Sequence, residues 1–130
     1  MKIRGILLDV DTGDARGHVE DIEIEDSLEE YYRILKCDTI DIVTRKIDGK
    51  TFNIVCDDNG LFKENPRVSA VNSHGEPVLV GNLFICNNDG PVLTSLSDDD
   101  VSHILKVIGV AVRKEFGKRC AYPVLTNVEY

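Results

Sequence analysis

The sequence predicts an α+β fold in a single domain, residues 1–130: a largely antiparallel sheet carrying two helices on one face, the second helix long and C-terminal. Three observations carry that expectation. Two β-branched runs flank Asp48-Gly49, a two-residue hairpin signal because both central turn positions take positive φ. Ser27 and Ser97 each stand just before an amphipathic segment, as helix N-caps do. The 130 residues, 42% hydrophobic and 29% charged, suffice for one modest core, and they contain no internal repeat.

Taken in order, residues 3–10 read as a buried strand and Val19–Ile24, alternating apolar with acidic, as a half-exposed one; residues 11–17 between them have turn chemistry. After Ser27, with Glu30 placed for a capping box, Leu28, Tyr31, Tyr32 and Leu35 recur at helical spacing, giving a short helix that ends near Lys36. Thr39–Ile47 and Lys50–Cys56 are the arms of the hairpin. Residues 57–65 are polar and turn-like, closed by Asn65-Pro66. Val78–Cys86 reads as a strand broken at Gly81-Asn82, and residues 91–94 as a short strand.

Asp98, Asp99 and Asp100 follow Ser97 where the helix dipole favours carboxylates. Val101, Ile104, Leu105, Ile108, Val112 and Phe116 then mark one face of a helix of about 19 residues, stopped by Gly117. Val107, Val110 and Ala111 widen that apolar face beyond what one sheet contact requires, so the helix is the expected interface of a homo-oligomer. Cys120–Tyr130 has strand composition and suits an edge strand or a segment that crosses to a neighbouring subunit.

Fifteen Lys and Arg against 23 Asp and Glu give a net charge of −8, which opposes non-specific binding to nucleic acid. The acidity is concentrated in residues 1–65, with 16 acidic and 9 basic side chains; residues 66–130 have 7 and 6. Cys37, Cys56, Cys86 and Cys120 form no CxxC and no close Cys-His pair, a spacing that argues against zinc. No apolar run is long enough for a membrane span and the N-terminus lacks a secretory pattern, so the expectation is a reduced, cytoplasmic protein with no membrane contact.

Enzyme motifs are missing: the sequence has no GxSxG, GxxxxGK[ST], HExxH or strand-to-helix GxGxxG. His18, His74 and His103 are far apart, and Asp57-Asp58, followed by Asn-Gly, suits a turn better than a metal site. The expectation is a non-catalytic protein with no metal and no cofactor. The cation-rich stretch after residue 101 instead suggests an anion site, with Arg113 forking onto a phosphate. A second constellation is Arg45-Lys46, then Lys63, Asn65, Arg67, Ser69 and Asn72, then Asn82, cations with amides and a hydroxyl, the groups that hold a nucleotide-like ligand.

Cys37-Asp38-Thr39-Ile40-Asp41-Ile42-Val43, Asp57 to Pro66, Ser69-Ala70, Gly81-Asn82 and Ser95 to Asp100 resemble a family of small proteins of unknown function met in bacteriophages and mobile elements, over about residues 3 to 108. A narrower resemblance is to the Thoeris anti-defence sponge proteins, which implies sequestration, without cleavage, of a cyclic ADP-ribose-type immune signal or a cyclic oligonucleotide. The resemblance transfers no binding residue by position, so the site residues rest on their chemistry. The alternative function is an acidic DNA mimic, in which the first 65 residues present a row of carboxylates to a host nuclease or other defence protein.

Overall fold

Asp48 and Gly49 take φ of 48° and 86°, and the strands they join, β3 (Ile40–Ile47) and β4 (Lys50–Asp57), pair antiparallel from Ile47↔Lys50 to Ile40↔Asp57. The hairpin expected at that dipeptide is therefore formed, with the positive φ at both positions that a type I′ turn demands. The computed structural model describes residues 2–10, 17–58, 67–89, 92–115 and 117–130.

Around this hairpin a seven-stranded antiparallel sheet is built. β1 (Lys2–Asp9) lies between β2 (His18–Glu25) and β7 (Leu83–Asp89), β7 lies against β4, and the short β8 (Val92–Thr94) pairs with the far end of β7. β11 (Val128–Glu129) closes the other edge on β3, and Asn127 O accepts the Asp48 N–H at 2.9 Å. A second sheet has the order β6-β5-β10-β9: β5 (Val68–Val71), β6 (Pro77–Val80), β9 (Ile108–Glu115) and β10 (Lys118–Leu125). Its β5–β10 contact is the parallel one, at Leu125↔Ala70.

Alternation along β1 sorts the core into two layers. Ile6 and Leu8 face a cluster with Phe52, Ile54, Ile85, Ile104, Tyr122 and Leu125; Ile3 and Leu7 face the opposite one, with Tyr31, Ile34, Leu35, Val55 and Phe84. The first cluster lies between the large sheet and a layer made of the small sheet and helix α2 (Asp98–Leu105); the second lies under helix α1 (Leu28–Leu35). The two helices thus lie on opposite faces of the large sheet, not on one. A single face could not bury both apolar sides of strands such as β4, which is buried continuously from Phe52 to Asp57.

The helix starts are as expected. Ser27 Oγ accepts the Glu30 N–H at 3.3 Å, although the Glu30 carboxylate turns to Arg33 instead of completing a box. Ser97 and Asp100 form a reciprocal capping box. α2 then stops at Leu105, which corrects the long C-terminal helix: residues 108–115 are strand β9, paired antiparallel with β10 from Ile108↔Leu125 to Glu115↔Lys118. Ile108 and Val112 fit a helical period, but with Val110 they fit a two-residue one as well, and their branched side chains favour the strand once β10 supplies a partner. Gly117, at φ 78°, serves the β9–β10 turn and not a helix stop.

Candidate functional site

The antiparallel register brings the C-terminal ends of β1 and β4 to the same end of the large sheet, with the starts of β3 and β7. Residues far apart in sequence collect there. Asn82, just before β7, is 2% exposed; its Oδ1 accepts the Val10 N–H at 2.9 Å and its Nδ2 donates to Leu35 O at 3.2 Å. Arg67, just before β5, donates from Nη1 to Val10 O at 2.6 Å and lies over Tyr122, 5.2 Å from the ring centroid. Both groups of the Val10 backbone are thus held by two of the expected site residues. Beside them Asp9, 3% exposed, receives Lys36 Nζ at 3.3 Å and has His18 Nδ1 at 3.9 Å.

A cleft of about 370 Å³ opens between β3–β4 and β6, lined by Asp41, Arg45, Cys56, Asp57 and Asp58 on one side and Pro77 to Val80 on the other. Arg45 is positioned by the alternation of β3. Its Nη1 donates to Thr44 O at 2.9 Å, its guanidinium carbon lies 4.3 Å from the Tyr130 ring centroid, and its Nε is buried without a hydrogen-bond partner among the described residues. A donor covered in this way without a partner costs stability. Cys56 Sγ donates to Asp41 O at 3.6 Å, and burial, aided by Asp41, pushes the thiol up to about 11, so it is a neutral thiol and not a nucleophile at neutral pH. Burial pushes Cys86, in the core, up to about 12.

The remaining expected site residues are dispersed. Asn72 organises the β5–β6 turn: its Oδ1 accepts from His74 N at 2.9 Å and Glu76 N at 3.0 Å. Ser69 is the extra residue of a β-bulge, buried, with Oγ lacking a hydrogen-bond partner among the described residues. Arg113 is a strand residue opposite Cys120, not a helix residue, and only its backbone is described. Lys63, with most of the 57–65 segment, lies outside the described residues, as do residues 11–16, where the sequence leads one to expect a turn.

The cleft carboxylates Asp41, Asp57 and Asp58 were not singled out together by sequence, because their proximity depends on the β3–β4 register that sets Ile40 opposite Asp57. Ionised, they accept hydrogen bonds from hydroxyl and amino groups; the guanidinium donates to an anion. Among the described residues no three His, Cys, Asp or Glu side chains come together as metal ligands, and no helix is long and apolar enough to cross a membrane. These features define a two-sheet α+β protein with a polar-rimmed, open cleft. Residues 3–109 match the family described as Domain of unknown function (DUF3846), and the chain belongs to that family. No curated protein and no solved structure matches it.

The matched segment ends at the second residue of β9. The cleft and the Val10 junction lie within it; most of the β9–β10 hairpin, and β11, lie beyond.

Proposed function

We propose that this protein binds and sequesters a nucleotide-derived signal without transforming it, as an anti-defence sponge of the phage type, with the β3–β4/β6 cleft as the binding site. The observation that carries the reading is Arg45, a guanidinium that lines the same cleft as three carboxylates, Asp41, Asp57 and Asp58. Three aspartates in the same cleft would repel a bare phosphate, so the fit is to a nucleotide: ribose hydroxyls and base amino groups toward Asp41, Asp57 and Asp58, and a phosphate toward Arg45. The volume, about 370 Å³, is in the range of small-molecule sites.

Calorimetry against cyclic ADP-ribose variants and cyclic oligonucleotides tests this. Binding to one of them, weakened about 10- to 150-fold by Arg45→Ala, is the expected result, the equivalent of one charge-assisted bond. Heating the complex should release the molecule chemically unchanged. No binding to any of these compounds overturns the reading. The acidic-mimic alternative then leads, on a different observation: Glu20, Asp21, Glu23 and Glu25 are all exposed along the edge strand β2. Charge reversal at Glu20 and Glu23 would abolish inhibition by a mimic and leave a sponge intact.

A further inference from the structure

Lys114 and Arg119 stand directly opposite each other across the β9–β10 hairpin, both exposed, and neither is in an ion pair with a described residue. Like charges so placed repel, and the sequence adds Arg113 and Lys118 against a single Glu115 around the same turn. β9 is also the edge of the small sheet, and on its exposed face Val110 and Val112 are 71% and 60% exposed. With no further strand on it among the described residues, an edge with two large apolar side chains and a basic end is a template for another strand.

The hydrogen-bonding direction of β9 follows from its turn. Two residues separate the closing pair Glu115↔Lys118, so odd-numbered residues of β9 bond to β10, and the N–H and C=O groups of Val110, Val112 and Lys114 point away from the sheet. An antiparallel copy of β9 centred on Ala111 meets these groups with its own: Val110 faces Val112 of the second copy, and Lys114 faces Ile108. Ile108 shares a groove with Gly17, His18 and Val19, the entry to β2, where Glu20 is exposed. β2 is the edge of the large sheet and carries four acidic residues, Glu20, Asp21, Glu23 and Glu25.

We propose that β9 is a self-pairing edge: two copies join antiparallel about Ala111, joining their small sheets, and the basic hairpin end of each reaches the acidic β2 of the other. The contact is isologous, so it closes as a dimer and leaves no further β9 edge for growth. It replaces the helical interface expected from Val107, Val110 and Ala111 and stands independently of the cleft.

Sedimentation equilibrium of the intact chain at about 100 µM should give twice the 14.5 kDa chain mass, with dissociation increasing as salt screens the β2–hairpin attraction. Val110→Glu, at an exposed position, and Val112→Pro, which removes an outward N–H, should both give folded species of 14.5 kDa by circular dichroism and sedimentation. Lys114→Glu/Arg119→Glu and Glu20→Lys/Glu23→Lys should each weaken self-association at least about tenfold. Mixed, they should form a heterodimer, because each basic or acidic arm then meets its opposite. A monomeric wild type, an undiminished mass in Val110→Glu, or no heterodimer from the mixed charge variants would overturn the proposal.

Discussion

Asn82 and Val10 are 72 residues apart in sequence, yet the Asn82 carboxamide oxygen accepts the Val10 N–H at 2.9 Å in a fully buried setting. The same side chain reaches Leu35 O, so one amide joins β1, the end of α1 and the start of β7. Asn82→Leu would leave a buried donor and a buried acceptor unsatisfied at once. A loss of about 2–5 kcal/mol is expected, seen as a lower urea midpoint with an unchanged slope.

At the β3–β4 turn a Cβ on Gly49 would meet nothing within 4 Å, so any penalty there is conformational and not steric crowding by neighbours. With φ at 86°, Gly49→Val should cost about 1–3 kcal/mol, whereas Gly49→Asn, which tolerates the left-handed region, should cost less. Equal melting temperatures for the two variants would contradict the turn type.

Gly5 presents the opposite case. A Cβ there would lie 2.5 Å from Ile85 O, in the backbone of the neighbouring strand, and 2.5 Å from the Phe84 ring. Backbone in the middle of a paired sheet cannot step aside, so Gly5→Ala should destabilise by about 1–3 kcal/mol through overpacking. Thermal unfolding reads the loss directly, and Phe84→Leu in the same chain should recover only the ring's part of it.

Acid should unfold the protein partly through Asp100. Its side chain is 2% exposed; burial pushes the carboxyl up, but the hydrogen bond from Lys50 and those at Ser97 outweigh it and hold the group below its ordinary 3.8. A group depressed on folding stabilises the fold fully above that ordinary value and loses its contribution as pH falls below it, through the folded-state value. Asp100→Asn should therefore cost about 1–2 kcal/mol at neutral pH and flatten the fall in stability below about pH 4. Asp21 adds to the same acid limb, since its hydrogen bonds with the Arg4 guanidinium hold it low. An acid limb of equal steepness in wild type and Asp100→Asn would refute the assignment.

What could be read beforehand was what depends on neighbours in sequence. Asp48-Gly49 announces its turn because two consecutive positive-φ residues have few other uses, and Ser27 and Ser97 announce helices because the cap bond spans three residues. β9 was misread because Ile104, Leu105, Ile108 and Val112 continue a helical stripe past the point where the chain has turned to a strand; the deciding partner, β10, is supplied by residues that follow. β5 has only four residues and a bulge at Ser69, too short for alternation to register. For the site, Arg67 and Asn82 were recognisable as polar groups needing partners, but those partners are the backbone atoms of Val10, which carry no side-chain signature.

The position of β1 inside the large sheet bears on how the chain reaches this fold. Its one neighbour, β2, begins at His18, but the other, β7, begins at Leu83, and among the described residues the edge beside β3 is sealed only by Val128–Glu129. On a ribosome, β1 and β2 can meet early as a hairpin whose outer side stays uncovered until most of the polypeptide has emerged. Such distant pairing carries a large loop-closure entropy, placing refolding in the millisecond-to-second range of sheet-dominated domains and exposing β1 to mispairing during that interval.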